Sequence, residues 1–273
     1  MIRNRVLAAA FLLFLQACSF KSIALKSTTD LLDKGAAAFY EEDDIQFARE
    51  SMPGQLKFLE TLLKNDPRNR KLLLSLAQGF GGYAFLFLED EAPDRARLFY
   101  QRGRDYGLKI LGKKKDDLKT AGPADAPALF WTAYCWGGWA NLSRTDPQAL
   151  ADLPAVEAMM ARVQEISPGY FYGGSDLFLG AAYGIRPKIF GGSPEKSKMH
   201  FERALKGADK KFLMAQVLYA RYYAVPVQDK NLFKALLEEV ADAKPDILPE
   251  QRLSNAVAKE KAKKLLEKTN DLF

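Results

Sequence analysis

Apolar residues recur every three or four positions along most of this chain, which is the spacing of one face of an α-helix. Leu56, Leu59 and Leu63 form one such stripe, and Asp66-Pro67 ends it. The alternation with period two that marks a half-buried strand is almost absent. The pattern therefore predicts an all-α chain of helix pairs joined by short breaks rich in Pro, Gly and Asp. Predicted helices lie near residues 56–65, 72–88, 96–110, 129–142, 155–166, 176–185, 194–206, 212–224, 232–241 and 257–266.

One helix pair carries a repeat pattern. The tetratricopeptide repeat (TPR) places Leu-Gly-x-x-Tyr on its first helix and Ala-x3-Phe-x-x-Ala on its second. Residues 179–183 match the first half, and residues 197–204 match the second with Ser in place of the first Ala. The two halves are roughly five residues further apart than in the plain repeat, so the inter-helix loop is enlarged. We expect degenerate TPR-like hairpins stacked into a superhelix or bundle with one continuous core.

The N-terminus has the pattern of a bacterial lipoprotein signal. A basic start is followed by an uninterrupted apolar run over 7–15, which is too short for a bilayer-spanning helix of about 20 residues. Leu15-Gln16-Ala17-Cys18 resembles a lipobox, although Gln16 is unusual there. The alternative is a plain secretory signal with an incidental Cys. The lipobox predicts diacylation of Cys18 and stable membrane anchoring.

This signal sets the predicted organisation of the chain. Residues 1–17 are the signal peptide, residues 18–29 a lipidated tether, and residues 30–273 a single all-helical TPR-like domain. Ser19 follows Cys18 where Asp would favour the inner membrane. By resemblance to the sorting pattern of bacteria with two membranes, we expect a lipoprotein that faces the periplasm from the outer membrane.

Composition narrows the possible chemistry. The chain has 40 Lys and Arg against 34 Asp and Glu, and loss of residues 1–17 leaves a charge of +4. This modest charge and the predicted export make nucleic acid a poor candidate partner. One His and two Cys are too few for a disulfide scaffold or for a zinc site built from Cys and His. We predict no cofactor and no metal, and we expect Cys135, in an apolar aromatic stretch, to be a buried, inert thiol.

Two apolar stretches combine glycine with aromatic residues, at 79–87 and 130–139, and the second holds all three Trp residues. Glycine inside a helix costs about 1 kcal/mol relative to alanine, so its repeated use needs a reason. Close helix packing is one reason. A groove or pore for an apolar ligand is the other. The predicted wall of such a passage comprises Tyr83, Phe87, Trp131, Trp136, Trp139 and Tyr183.

The segment 186–196 is a second candidate site. Ser193, Pro194 and Glu195 suit the first turn of the next helix, and this accounts for most of the segment. The Gly-Lys-Ser/Thr of a phosphate-binding P-loop is missing. Attraction of an anion remains open for Arg186 or Lys188, and contact with a partner remains open for Arg186, Lys188, Gly191, Gly192 and Glu195.

Further motifs are spread over the predicted mature chain. The most specific is Gly191-Gly192-x-Pro194-Glu195 followed by Phe201-x-x-Ala204. The weaker ones are the lipobox, Glu89-Asp90 ahead of Ala96–Tyr100-x-Arg102-Gly103, Phe130-Trp131-x3-Cys135-Trp136-Gly137-x-Trp139, Asp146-Pro147, Pro187, His200, Asn255-x5-Lys261-Ala262-x-x-Leu265-Leu266 and Asp271-Leu272-Phe273.

Together these motifs resemble the T-component lipoproteins associated with TRAP transporters (TatT), where TRAP stands for tripartite ATP-independent periplasmic. The resemblance implies a periplasm-facing lipoprotein of degenerate TPR helix pairs that contacts the solute-binding protein of a TRAP system. It also implies a homo-oligomer, such as a trimer, with a passage through each subunit. No binding residue carries over from the family.

Three functions remain open from the sequence. The first is a non-enzymatic accessory that docks a solute-binding protein and passes a hydrophobic or anionic ligand. The second is a generic TPR-like scaffold lipoprotein for envelope assembly. The third is an enzyme that uses His200, the only histidine, or a carboxylate. A lone histidine in mid-helix is more often a packing residue, so we predict that the protein is not an enzyme.

Overall fold

The computed structural model describes residues 37–273. The predicted signal peptide, Cys18 and the tether lie outside the described residues. Residues 40–273 form one compact unit, and residues 37–39, which precede it, are helical. Within the described part of the chain every regular element is a helix, so the all-α prediction is confirmed.

The helices follow one another with short connections. We number the α-helices in chain order and give the two π-helical turns with the helices that they extend. The α-helices are α1 (Ile45–Asn65), α2 (Arg70–Tyr83, extended by Ala84–Leu88), α3 (Pro93–Leu111), α4 (Ala126–Asn141), α5 (Pro147–Ile166), α6 (Tyr170–Ile185), α7 (Pro194–Gly207), α8 (Met214–Tyr219, extended by Ala220–Ala224), α9 (Lys230–Asp242), α10 (Arg252–Glu267) and α11 (Thr269–Leu272).

Polar caps explain where several helices begin. The side chains of Asp44, Asn69 and Asp229 each accept a hydrogen bond from a backbone N–H in the first turn of their helix. Ser193 accepts from the Lys196 N–H, and Pro194 occupies the first turn of α7, as the sequence predicts. These caps satisfy backbone donors that have no partner inside the helix.

Consecutive helices pack as hairpins. Contacts are most extensive within the pairs α2–α3, α3–α4, α4–α5 and α6–α7, and the late helix α10 also contacts α1. The helical-hairpin packing is therefore confirmed, whereas the assignment to true TPR repeats remains a prediction. The stretch Arg70–Leu88 is apolar and long enough to cross a bilayer, but 61% of its most apolar window is buried inside the protein, as in a core helix.

Glycines allow the closest helix contacts. A Cβ atom on Gly107 of α3 would lie 2.9 Å from the Cβ and 3.1 Å from the Cα of Thr132 on α4. A Cβ on Gly138 would lie 2.6 Å from ring atoms of the buried Tyr100. Close packing, the first explanation for the glycine-rich stretches, therefore applies at Gly138, and Gly107 packs in the same way against Thr132 of the second stretch.

The start of α6 departs from the prediction. The sequence predicts a helix from 176, whereas α6 (Tyr170–Ile185) includes a kink of three left-handed residues, and its regular right-handed helix follows Gly173. Phe171, Tyr172 and Gly173 have φ values of 48°, 57° and 72°. Only glycine adopts this region without strain, so the two aromatic residues are held there by their packing.

Candidate functional site

A cavity of about 760 Å³ lies between one face each of α2, α4, α5, α6 and α8. On α4 the lining residues include Trp131, Tyr134, Gly138 and Asn141, which recur at helical spacing. Other faces of the same helices pack into the core, as shown by the fully buried Cys135 on α4. The cavity is therefore a feature of the hairpin arrangement and not a gap left by one side chain.

Aromatic rings form one end of the cavity. Phe130 and Trp131 of α4 contact Phe171 of α6, and the Trp131 and Phe171 ring centroids are 4.9 Å apart. Tyr134 stacks on Phe130, with ring centroids 5.8 Å apart. The Trp131 indole N–H donates to the hydroxyl of Tyr170 at 3.0 Å. The left-handed turn of α6 places Phe171 in this cluster, so the strained backbone contributes directly to the cavity wall.

The two π-helical turns border the same cavity. Phe85 and Leu86 line it from the extension of α2, and Tyr222 lines it from the extension of α8. A π-turn inserts a residue and shifts which side chains face a given direction, and such turns occur frequently at functional sites. Glu89 directly follows the first of these turns and also lines the cavity.

Glu89 brings a carboxyl group to a mostly apolar wall. The Tyr100 hydroxyl donates a hydrogen bond to its Oε2 at 2.7 Å. Burial raises the pKa of Glu89 above its ordinary value, and the Tyr100 donor and the charges of Lys261 and Arg221 offset only part of this effect. Loss of solvent therefore favours the uncharged carboxylic acid at this position.

The opposite side of the cavity reaches solvent. Leu150 and Phe190 both line it and are 58% and 70% exposed. Next to them Arg186 forms an ion pair with Glu157, and both of these residues also line the cavity. We call this region the mouth and define it by Leu150, Glu157, Ile185, Arg186 and Phe190.

The structure brings only part of the predicted passage wall to the cavity. Trp131 lines it. Tyr83 and Phe87 face the other side of α2, where the Tyr83 hydroxyl donates to the Arg49 carbonyl and the Arg49 guanidinium lies over Phe87.

The remaining three predicted aromatic residues also lie outside the lining. The Trp136 indole N–H donates to Asp152 at 2.8 Å, and the Arg104 guanidinium lies near the rings of both Trp136 and Trp139. Tyr183 stacks on His200. These side chains lie on other faces of their helices, which pack against neighbouring helices instead of facing the cavity.

The predicted loop residues have mixed positions. Arg186 lines the cavity, whereas Lys188, Gly191, Gly192 and Glu195 do not. Gly191 has a φ of 87° and ends the short 3₁₀ turn Lys188–Phe190. A Cβ on Gly192 would lie 1.9 Å from the Arg186 carbonyl oxygen, so this glycine permits the tight return of the loop. The Glu195 carboxylate accepts from the Ser193 hydroxyl in the cap of α7.

Sequence reasoning missed several lining residues, above all Glu89, Phe171 and Tyr222. Glu89 carried part of a signal, because it directly follows the apolar run Phe85–Leu88, but the π-turn before it sets the direction in which it faces. Phe171 and Tyr222 carried no such signal in the sequence, because a left-handed turn positions the first and a π-turn positions the second.

His200 lies in a buried polar cluster on another part of the fold. Its Nδ1 is 2.6 Å from Asp176 Oδ1, which also accepts from the Gln164 amide. The nearby Ser197 hydroxyl donates to the Gly180 carbonyl instead of to the histidine. These contacts tie α5, α6 and α7 together, as expected for a packing histidine.

Fold and site together define an all-α helical-hairpin protein that encloses a large, mostly apolar cavity with an open mouth. The family model for the TRAP transporter T-component, TAtT, matches residues 41–273, and the chain belongs to this family. The family assignment makes it a component associated with TRAP transport, and hence a protein of the cell envelope. An uncharacterized protein of Treponema pallidum (strain Nichols) is 24% identical over an alignment that covers all of this chain and 98% of the relative.

Proposed function

We propose that this protein is a non-enzymatic accessory of a TRAP system that accepts a hydrophobic or amphipathic ligand in its cavity and exchanges it with a docked solute-binding protein. The observation that carries the proposal is the cavity itself. Its volume of about 760 Å³ falls within the range of small-molecule sites, which are mostly apolar with a few polar groups. Each methylene group that leaves water for such a wall contributes about 0.8 kcal/mol.

The mouth supports the docking part of the proposal. Ile189, beside the mouth, is 85% exposed, and Phe190 and Leu150 are also largely exposed. Exposed apolar side chains around a cavity opening are typical of a surface that a partner covers. A solute-binding protein seated there would exclude water while the ligand moves between the two proteins.

A binding assay tests the cavity. The uncharged fluorescent probe N-phenyl-1-naphthylamine should bind the wild-type protein. Ala181→Trp, which places a large side chain in the cavity, should abolish the fluorescence increase that reports binding. Leu98→Trp on the exposed face of α3 is the matched control and should bind like the wild type. Absence of binding to the wild type, or equal binding to both variants, would leave the generic scaffold as the better account.

Docking needs its own assay. Phe190→Asp should weaken capture of the solute-binding protein of the same TRAP system on a biosensor surface, because it places a charge in an apolar contact. Leu98→Asp introduces the same charge at an exposed position of α3 that does not line the cavity, and it should have no effect. If both variants capture the partner equally well, the mouth is not the docking face.

The proposal includes membrane anchoring through lipid on Cys18, an outer-membrane location facing the periplasm, and assembly into a homo-oligomer such as a trimer. Cys18→Ala should move the protein from the membrane pellet to the supernatant without loss of helicity. Light scattering of the detergent-solubilised protein gives the subunit number, and a monomer would refute the oligomer.

A further inference from the structure

One cation on the lining of the cavity has no acidic partner. Within the described part of the chain the cavity is lined by the cations Arg144 and Arg186. Arg186 forms an ion pair with Glu157, which also lines the cavity. Among the described residues, Arg144 forms no ion pair, and its hydrogen bonds go to Asn141 alone. Arg144 therefore brings an uncompensated positive charge to a mostly apolar wall.

Asn141 holds the Arg144 guanidinium by one edge. The Arg144 Nε donates to the Asn141 carbonyl oxygen at 3.1 Å, and its Nη2 donates to the side-chain oxygen at 2.6 Å. The other edge, formed by Nη1 and Nη2, keeps two parallel N–H groups without a partner among the described residues. Two such donors match two oxygens of a carboxylate or a phosphate. The contact with Asn141 thus orients the guanidinium and leaves its free edge for an anion.

The position of Arg144 places its charge at the open end of the cavity. Arg144 is exposed and lies in the connection between α4 and α5, and Leu150 of the mouth lies in the first turn of α5. Both residues are therefore at the same end of this hairpin. Trp131, at the aromatic end of the cavity, lies roughly 15 Å from Asn141 along the axis of α4. The charge and the aromatic rings are thus separated by about the length of an extended alkyl chain.

The titratable groups near Arg144 do not cancel its charge. Burial, followed by the charge of Glu89, raises the pKa of Tyr222 to about 12, and the charge of Arg144 acts in the opposite direction. The Tyr222 phenol therefore stays protonated and can donate a hydrogen bond to an anion. Burial raises the pKa of Glu89 as well, which favours its uncharged form. The neighbouring Asp90 is already paired with two other cations.

We propose that the free edge of the Arg144 guanidinium binds the anionic head of a single-chain amphiphile, a carboxylate or a phosphate monoester, whose tail lies along α4 towards the aromatic end of the cavity. This inference rests on the proposed function, because it assumes that the cavity accepts a ligand. At the open end the head keeps part of its hydration and gains two charge-assisted hydrogen bonds, while the tail leaves water. A cationic head would be repelled by the Arg144 charge.

Head-group competition at constant chain length tests the proposal. Laurate, dodecyl phosphate, dodecanol and dodecylammonium, each below its micelle concentration at neutral pH, should be titrated against N-phenyl-1-naphthylamine bound to the wild type and to Arg144→Gln. The substitution should weaken binding of the anionic ligand about tenfold, the factor expected when hydrogen bonds to a charged group are lost. Laurate and dodecyl phosphate compared with each other identify the head, because the one recognised by Arg144 loses more affinity.

Uncharged ligands and two control variants separate head recognition from folding and from general electrostatics. Dodecanol and N-phenyl-1-naphthylamine should bind Arg144→Gln like the wild type, which reports that the cavity is intact. Arg95→Gln removes the same charge at an exposed position of α3 that does not line the cavity, so it should leave all affinities unchanged. The double variant Glu157→Gln with Arg186→Gln removes the other lining cation together with its partner and should still bind the anion.

The outcomes separate the two proposals. If no ligand and no probe binds the wild type, the proposed function fails and this inference fails with it. If dodecanol and the probe bind but Arg144→Gln leaves the affinity for both anions unchanged, the cavity stands and the role of Arg144 is refuted. An equal loss in Arg95→Gln, or a loss confined to the double variant, would refute it as well.

Discussion

The contact between α3 and α4 gives a quantitative test of how closely the hairpins pack. Gly107 faces Thr132, and an added Cβ would lie 2.1 Å from its Oγ1, 2.9 Å from its Cβ and 3.1 Å from its Cα. Rotation of the Thr132 side chain can relieve only the first of these clashes. Thr132 is fully buried and its hydroxyl donates to the Ala128 carbonyl, so the two helices themselves must move apart.

The expected change in the free energy of unfolding for Gly107→Ala is the sum of two opposing effects. Overpacking of a rigid contact destabilises the fold by up to about 3 kcal/mol, whereas replacing glycine by alanine inside a helix stabilises it by about 1 kcal/mol. The net expectation is a loss of about 2 kcal/mol, which for a domain of this size lowers Tm by about 4–8 °C. Because α4 carries the cavity wall, binding of N-phenyl-1-naphthylamine should weaken as well.

Thermal unfolding followed by circular dichroism measures the effect. Gly54→Ala in α1 is the matched control, because its new Cβ would meet nothing within 4 Å. This variant should raise Tm by about 2–4 °C through helix propensity alone. If Gly107→Ala is as stable as the wild type, the helices do not pack as closely as the structure indicates.

The remaining predictions concern titratable groups. Burial raises the pKa of the Cys135 thiol, so in the Cys18→Ala variant, which has no other thiol, Ellman's reagent should react only after unfolding; rapid reaction of the native protein would contradict its burial. For Glu60, burial raises the pKa, but hydrogen bonds from Lys57, Tyr106 and Arg102 outweigh it and lower the pKa to about 2. A folded-state pKa below the ordinary 4.5 adds stability above pH 4.5 that disappears as the pH falls towards 2. The difference in urea midpoint between the wild type and Glu60→Gln should follow this course, and a difference independent of pH would contradict it.

The sequence predicts the helices and their pairing because long periodic stripes such as Leu56, Leu59 and Leu63 leave few alternatives. Caps such as Ser193 are equally local, since they depend on the first turn only. The start of α6 could not be predicted in this way. Phe171 and Tyr172 adopt left-handed φ values that local preference opposes, and the contacts of the surrounding aromatic rings determine them.

The candidate site also has one part that the sequence predicts and one part that it does not. Aromatic and glycine content locates the cavity on α2 and α4, but content does not say which face of a helix looks inward. Trp131 and Trp136 lie in one stretch and end on different sides of α4. Glu89 depends in addition on the π-turn before it, which changes the phase of the helix and has no recognised signal in the sequence.

Tryptophan quenching tests the central claim, that the cavity receives a long-chain ligand, most directly. Two variants are needed, one that keeps only Trp131 (Trp136→Phe with Trp139→Phe) and one that keeps only Trp136 (Trp131→Phe with Trp139→Phe). A long-chain alcohol with bromine at the end of its tail should quench the fluorescence of the first variant saturably and leave the second unchanged, because only Trp131 lines the cavity. Equal quenching of both, or none of either, would show that the chain does not enter between these helices.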